Sequence, residues 1–333
     1  SDILTPATLP ATLGADAPYE NMGTIQTKGW ELAIDYRHTF KNGLHFGVTA
    51  SVADDKTEVT KWTYNTKIPS YGATGWWDKS AYKEGMVLGD IWGLQFDRFL
   101  TEDDFNADGS LKAGLPDQTK VFPAGYQFAP GDVLYKDLDN NGEIVKQTNT
   151  NDKGDLSVIG NALPRLQFGL NLDAAWKGFD ISMFFQGVAK RKLWAAGNQV
   201  LPGFTTGEPF YKGAEDYWTP ENTDAFYPRP MDYKQSASGN YSVNDRYLLN
   251  MAYLRLKTFT VGYSLPKVWL SKFKVQGLRV YFTGENLFTI DGVKPAIDPE
   301  IGIRTASGKS DQRNFGRSYP YQKTVSFGIQ LSL

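Results

Sequence analysis

Residues Asp180 to Ala189 read DISMFFQGVA and follow a Lys177-Gly178 turn. In an extended chain successive side chains point to opposite faces, so Ile181, Met183 and Phe185 share one side while Asp180, Ser182 and Gln186 share the other. One face is apolar and the other wet. About 9 to 11 residues suffice for a tilted strand to cross a bilayer, and this segment is long enough.

The pattern recurs. Residues 28–39 set Trp30, Leu32, Ile34 and Tyr36 against Glu31, Ala33, Asp35 and Arg37. Residues 44–62 open with Leu44, Phe46, Val48, Ala50 and Val52 on one face, after Phe40-Lys41-Asn42-Gly43, whose Asn-Gly pair suits the positive φ angles of a tight hairpin. Residues 163–176 place Leu166, Phe168, Leu170, Leu172, Ala174 and Trp176 opposite Arg165, Gln167, Asn171 and Asp173. Residues 178–190, 252–265, 275–288 and 321–333 complete a set of seven. In 252–265 Arg255 and Lys257 share nominal parity with Phe259, Val261 and Tyr263, which predicts a bulge near Lys257 to Phe259. Asp90 to Leu100 also reads as a strand, but counting it would spoil the up-down order, so it is assigned to a mini-sheet outside the membrane.

The connections alternate between short and long: 40–43, 63–162, 177–178, 191–251, 266–274 and 289–320. Outer-membrane barrels have short periplasmic turns and long extracellular loops. The expected fold is therefore all-β, a transmembrane antiparallel β-barrel with 63–162 and 191–251 as long extracellular loops and the C-terminus in the periplasm. Trp176, Tyr263, Trp30 and Tyr321 fall at strand ends, as boundary rings or as packing. Barrel diameter grows with strand number and eight strands leave only a side-chain-filled interior, so the remainder of the barrel must come from elsewhere. The chain is expected to be a fragment.

Composition narrows the alternatives. A net charge of -2 in 333 residues provides no basic field for nucleic acid. Cysteine is absent, which removes disulfides, zinc-thiolate sites and thiol nucleophiles. Mean hydropathy is -0.41, a value that a barrel with alternating faces and long loops shares with soluble proteins. His38 and His45 are the only histidines and flank a hairpin, which leaves no material for a Ser-His-Asp triad. The chain is not expected to be an enzyme. The competing reading is a soluble all-β glycan-binding or adhesin-like protein, in which the same alternation buries one face against a second sheet.

Several phrases resemble the C-terminal portion of the SusC/RagA family of TonB-dependent outer-membrane transporters: NMGTIQTKGWEL at 21–32, GDVLYKDLDNNGEI at 131–144, IGNALPRLQFG at 159–169, KGFDISMFFQG at 177–187, YWTPEN at 217–222, YLRLKTFTVGYSLP at 253–266 and LRVYFTGENLF at 278–288. The resemblance implies a 22-strand barrel of which this chain supplies the last seven or so strands, plugged by a domain that lies outside this chain. It further implies import of an oligosaccharide or peptide with a SusD-like surface lipoprotein, in the outer membrane of a Gram-negative bacterium, driven by the TonB complex through the missing N-terminal region. Such barrels usually finish on an aromatic residue, whereas this chain finishes Gln330-Leu331-Ser332-Leu333.

Three groups of residues are candidates for function. Asp137, Asp139, Asn141 and Glu143, with glycine at 142, match the first two thirds of an EF-hand-type calcium loop. Thr148 stands where a bidentate glutamate belongs, and Asp152 or Asp155 is the candidate to close a structural Ca2+ shell. A bare acidic turn selects the same residues. The loops carry Trp76, Trp77, Trp92, Trp194, Trp218 and Tyr227 as candidates for substrate or lipoprotein contact, most such rings being expected to hold the loops together. Glu31, Arg37, Arg165, Asp173, Asp180, Arg279 and Glu285 are expected to face the lumen, paired with neighbouring strands or the plug, because an Arg or Lys at the lipid midplane costs roughly 2 to 4 kcal/mol.

Overall fold

The computed structural model describes residues 2–6, 14, 16, 18–62, 83–146, 153–195, 197, 199–203, 210–231, 239–271, 275–294, 297–300, 305–306, 309–310 and 321–332. In chain order its elements are β1 (Asp2–Pro6), β2 (Tyr19–Thr39), β3 (His45–Trp62), β4 (Asp90–Gly93), β5 (Phe96–Phe99), β6 (Val133–Tyr135), β7 (Ser157–Asn161), β8 (Arg165–Trp176), β9 (Phe179–Lys190), β10 (Lys192–Leu193), β11 (Leu249–Asn250), β12 (Tyr253–Ser264), α1 (Lys267–Leu270), β13 (Gly277–Glu285), β14 (Thr289–Asp291), β15 (Thr305–Ala306), β16 (Lys309–Ser310) and β17 (Thr324–Ser332). All seven expected strands join β1 in one antiparallel sheet, in the order β1-β2-β3-β8-β9-β12-β13-β17.

Residues directly opposite in an antiparallel ladder share a face. Tyr36, Val48, Leu172, Met183, Phe259, Gly284 and Val325 therefore lie in one row across seven strands, followed by the row His38, Phe46, Ala174, Ile181, Val261, Phe282 and Phe327. On the other face the matching row is Arg37, Gly47, Asp173, Ser182, Thr260, Thr283 and Ser326. On β2 the apolar stripe runs from Trp30 to His38. Nine residues at about 3.4 Å each, tilted by about 40°, cover roughly 23 Å, close to the ~25 Å apolar belt of outer-membrane barrels.

The bulge falls where the alternation fails. Pairing between β12 and β9 steps from Leu256↔Phe185 to Thr258↔Phe184, which skips Lys257. That single residue brings Leu254 and Leu256 onto the face of Phe259, Val261 and Tyr263, and moves Arg255 to the polar side.

The turns follow their residues closely, with one correction. Lys177 and Gly178 have φ of 49° and 89°, and Trp176 pairs with Phe179, a two-residue hairpin with both central residues left-handed. At 40–43 only Gly43 is left-handed (φ 80°). Gly43 N–H donates to Phe40 O at 2.9 Å and Phe40 N–H to Leu44 O at 2.8 Å, so the loop has three residues with glycine at the bulge position, and Asn42 instead accepts the Leu44 N–H at 3.1 Å. The first strand also starts at Tyr19, well before residue 28, because β1 pairs with its beginning.

Two buried hydrophobic clusters lie in the loops. One cluster gathers Ile91, Leu193, Trp194, Val200, Leu201, Tyr227, Tyr241, Tyr247, Met251 and Val293; the other gathers Leu94, Phe99, Val121, Phe122, Val133, Tyr135, Ile144, Leu156 and Trp218. Among the described residues neither cluster draws on the seven long strands, whereas Phe327 on β17 is 82% exposed and Ile329 is 73% exposed. A sandwich would seal those side chains against a second sheet. Asp90 to Leu100 divides into β4, which pairs with β7, and β5, which pairs with β6, two small ladders in the loop body.

Candidate functional site

The two long loops are joined at the buried carboxylate of Asp132. Asp132 is fully buried and accepts hydrogen bonds from Tyr126 Oη (2.9 Å), Ala129 N (2.9 Å), Arg229 Nε (2.8 Å) and Asn240 Nδ2 (2.9 Å). Arg229 and Asn240 come from the second long loop, so this aspartate ties 63–162 to 191–251. Removing a carboxylate from water is costly unless charge and hydrogen bonds replace the solvent, and here both do. Arg98 and Asp104 form a second pair at 2.6 and 2.7 Å, and the guanidinium holds the Asp104 carboxyl down at about 2.

A third network fixes the last loop to the sheet. Arg255 of β12 is 3% exposed; its Nη2 donates to Asp298 Oδ1 at 2.8 Å and its Nε to Thr289 Oγ1 at 2.7 Å. Arg255 Nη1 lies 3.2 Å from Glu300 Oε1, an ion pair without hydrogen-bond geometry, and Lys257 Nζ donates to Glu300 Oε2 at 2.7 Å. The ring of Tyr321 lies against both cations, 5.3 Å from the Arg255 guanidinium and 4.9 Å from the Lys257 ammonium. The lysine that makes the bulge thus anchors the loop above it.

The acidic turn is folded around its own amides. Asp137 accepts N–H bonds from Gly142 (2.8 Å) and Asn141 (3.3 Å), and Asp139 accepts the Asn141 N–H at 3.0 Å. Asn141 Oδ1 accepts the Glu143 N–H at 2.7 Å, while the Glu143 carboxylate pairs with Lys120 and is turned to that partner. Asp155, fully buried, accepts Leu138 N–H at 2.8 Å and Val145 N–H at 2.7 Å, which closes the loop on itself. Carboxylate oxygens of Asp137, Asp139 and Asp155 lie within 4.8 Å of one another. Desolvation raises the Asp139 carboxyl, and the charges of Asp155 and Asp137 raise it further. Desolvation also raises Asp137, but backbone N–H bonds from Gly142, Asn140 and Asn141 outweigh it and the net shift is downward. Asp152 lies outside the described residues.

The ring candidates separate by burial. Trp194 (3% exposed), Trp218 (7%) and Tyr227 (3%) are members of the two cores, and Trp92 packs against the second. These three rings are buried within the loop cores. Trp76 and Trp77 lie outside the described residues. Tyr227 has a second surface, however. Together with Tyr241 it lines a cavity of about 530 Å³ whose wall includes Pro202, Pro228 and Pro230 and whose mouth carries Phe210, Tyr211, Lys212, Glu215 and Tyr217. The Tyr227 hydroxyl donates to Val200 O at 2.9 Å, and burial pushes its phenol up to about 12. The Tyr211–Ala214 turn closes with the Ala214 N–H on Tyr211 O at 3.1 Å, and Gly213 supplies its left-handed position at φ 105°.

On the sheet's polar face, Asp180 and Arg279 form a bidentate pair at 3.0 and 2.5 Å across β12, in the space left by Gly262. Arg37, Asp173, Glu31 and Glu285 share the register of that face. Glu31 lines a hollow of about 440 Å³ with Thr49, Gln167, Asn171 and Gln186. Arg165 pairs with Lys190 in the register of the polar face, and beside Leu166 at φ 52° its guanidinium bonds the Asp54 carboxylate at 2.5 and 2.7 Å.

No protein-family model matches the chain. It is 27% identical over 342 residues to TonB-dependent receptor P3 of Formosa agariphila, covering 99% of this chain and 31% of that receptor. TonB-dependent receptor SusC of Bacteroides thetaiotaomicron is 22% identical over 341 residues, with 100% of this chain and 29% of SusC covered. Among solved structures, the RagAB peptide transporter superposes with a TM-score of 0.65 at 19% identity, covering 99% of this chain and 31% of that one. The chain is thus similar in sequence to a stretch of these TonB-dependent receptors, and its sheet has the fold of the matching stretch of the RagAB barrel. It spans about a third of the length of these relatives, which fits the C-terminal portion of the SusC/RagA-like barrel.

The sequence left Asp132, Arg255 and the cavity unmarked as sites. The partners of Asp132 lie 97 and 108 positions away along the chain, and a lone Gly-Asp pair carries no sign of them.

Proposed function

We propose that the chain is part of an outer-membrane importer, coupled to the TonB complex through a more N-terminal region of the protein, that takes up an oligosaccharide or peptide captured with a SusD-like surface lipoprotein. In this reading 63–162 and 191–251 are extracellular, the C-terminus is periplasmic, and β1 and β17 continue into the remainder of the barrel. The observation that carries it is the pair of seven-strand rows, apolar on one face and polar on the other, beneath a loop body with its own buried core. A soluble adhesin has no use for an exposed apolar row of this length.

A structural calcium ion in the turn of Asp137, Asp139, Asn141 and Asp155 belongs to the same proposal. Ca2+ takes six to eight oxygens at about 2.3–2.6 Å, and three mutually repelling carboxylates beside an Asn side chain suit it. Glu143 is committed to Lys120 and would supply its backbone carbonyl.

The test is expression of the complete gene in a Gram-negative host with a deletion counterpart. The expected result is an outer-membrane protein whose gel band shifts on heating, co-purification of a surface lipoprotein, and loss of growth on particular oligosaccharides or peptides as sole nutrient in the deletion strain. Release of the intact protein into buffer without detergent would exclude the barrel importer.

A further inference from the structure

We propose that the short-turn end of the sheet binds anionic phospholipid, with the Lys177 ammonium on a headgroup phosphate and the acyl chain along Trp176, Phe179 and Tyr263. The inference rests on the outer-membrane reading, in which the apolar rows meet lipid, and adds a headgroup preference to it.

Charge is sorted along the sheet. The three short turns, 40–43, 177–178 and 266–274, carry Lys41, Lys177, Lys267, Lys272 and Lys274 and no Asp or Glu, in a chain whose net charge is -2. The excess negative charge lies elsewhere in the chain. Lys41, Lys177 and Lys267 are exposed, and none of them has an ion-pair partner among the described residues. Lysines gathered beside a bilayer are drawn to anionic headgroups.

The turns form one patch. Trp176 Nε1 donates to Asn42 O at 3.2 Å, which sets the 40–43 turn beside 177–178, and Ser264 N–H donates to Gly178 O at 2.8 Å, which sets 177–178 beside the start of 266–274. Rings supply its apolar half. Trp176, Phe179, Tyr263, Val280 and Ile329 pair in sequence across five strands, in the register of the apolar face. Phe179 is 59% exposed and Trp176 43%, and the Phe179 and Tyr263 rings meet at 4.5 Å.

Lys177 joins the two halves. Its ammonium lies 4.4 Å from the centroid of the Trp176 ring, which places the charge on the apolar side of the turn, at the end of the ring row. A lysine head above a stem and rings of this kind suits the phosphate layer over the upper acyl chains. The row is continuous with the next one, Ala174, Ile181, Val261, Phe282 and Phe327, so the bilayer that covers the one covers the other.

The experiment uses the complete protein, purified in detergent, shown to be assembled by its heat-dependent gel mobility, and placed in nanodiscs of phosphatidylcholine alone or of equal parts phosphatidylcholine and phosphatidylglycerol. Unfolding temperature is followed by tryptophan fluorescence. It should be several degrees higher with phosphatidylglycerol, since a ligand held only by the native state stabilises by mass action, and high salt should shrink the difference. Lys177→Asn creates an Asn-Gly pair, which favours positive φ at both turn positions and so keeps the hairpin. It should remove most of the difference, whereas Lys177→Arg should keep it. Equal unfolding temperatures in the two lipids, a difference that survives Lys177→Asn in full, or the same rise on adding inorganic phosphate to the phosphatidylcholine discs would overturn the proposal. Failure of the outer-membrane reading shows separately, as release of the intact protein into buffer without detergent.

Discussion

Arg279 on β13 reaches Asp180 on β9 over the intervening strand, because Gly262 on β12 has no side chain to block the path. A Cβ built on Gly262 would lie 2.5 Å from the Arg279 Nη2 atom. The pair joins strands that are not neighbours, on the face that carries the polar rows.

Gly262→Val should therefore separate two charges as well as crowd them. Overpacking of this kind costs typically about 1–3 kcal/mol. The temperature at which the folded gel band disappears should fall, and Asp180→Asn should lower it less because no steric conflict accompanies the lost charge. Equal band temperatures for wild type and Gly262→Val would contradict the crossing.

Deleting Lys257 removes the extra residue and lets β12 pair with β9 without a step, with Leu254 and Leu256 still on the face of Phe259, Val261 and Tyr263 and Arg255 still on the polar side. What is lost is the ammonium that faces Glu300 and Tyr321. Outer-membrane assembly, measured as the fraction of protein with heat-dependent mobility, is therefore expected to persist in the deletion variant as in Lys257→Ala, and its loss in the deletion variant alone would show that Lys257 belongs to the ladder.

Asp132→Ala strands the Arg229 guanidinium and the Asn240 amide inside the loop body. Breaking a buried pair by removing one partner costs about 3–5 kcal/mol. Limited proteolysis of the assembled protein should open new cuts in 121–132 and near Arg229 and Asn240 together, since one carboxylate holds both segments. Cuts confined to one loop would argue against the shared hub.

The Arg98–Asp104 pair sets a pH dependence. Asp104 is held at about 2 in the fold, by the Arg98 hydrogen bonds first, against an ordinary value of 3.8. A depressed carboxylate stabilises the fold above its unfolded value, and that contribution fades as pH falls from near 4 toward 2. Hydrogen exchange of residues 96–105 should accelerate across that interval, and in Asp104→Asn it should be fast at neutral pH already.

Calcium removal provides the last prediction. With the complete, assembled protein, a chelator should lower the melting temperature by several degrees, and added Ca2+ should restore it, because a ligand that binds only the native state stabilises by mass action. Asp139→Asn should reduce the response. An unchanged melting temperature would leave the segment as an acidic turn held by its own amides.

The sequence alone determined the parts whose information is local. Strand alternation around Ile181, Met183 and Phe185, the Lys177-Gly178 turn and the phase error at Lys257 were all legible, because a lipid-facing strand answers to the bilayer at each second residue and needs no distant partner to be recognised. The hairpin at 40–43 was legible as a turn but not in type, since Asn42 was free to accept a hydrogen bond instead of adopting a positive φ. Tertiary structure decided the rest. Arg165 acquired Asp54 as its partner, Trp194 and Trp218 were drawn into cores, and Tyr227 came to line a cavity. Asp132, Asp155 and Arg255 acquired partners from distant parts of the chain. In a loop body the environment of each side chain is set by residues tens of positions away, so burial and pairing there follow from three-dimensional closure and leave no periodic trace in the chain.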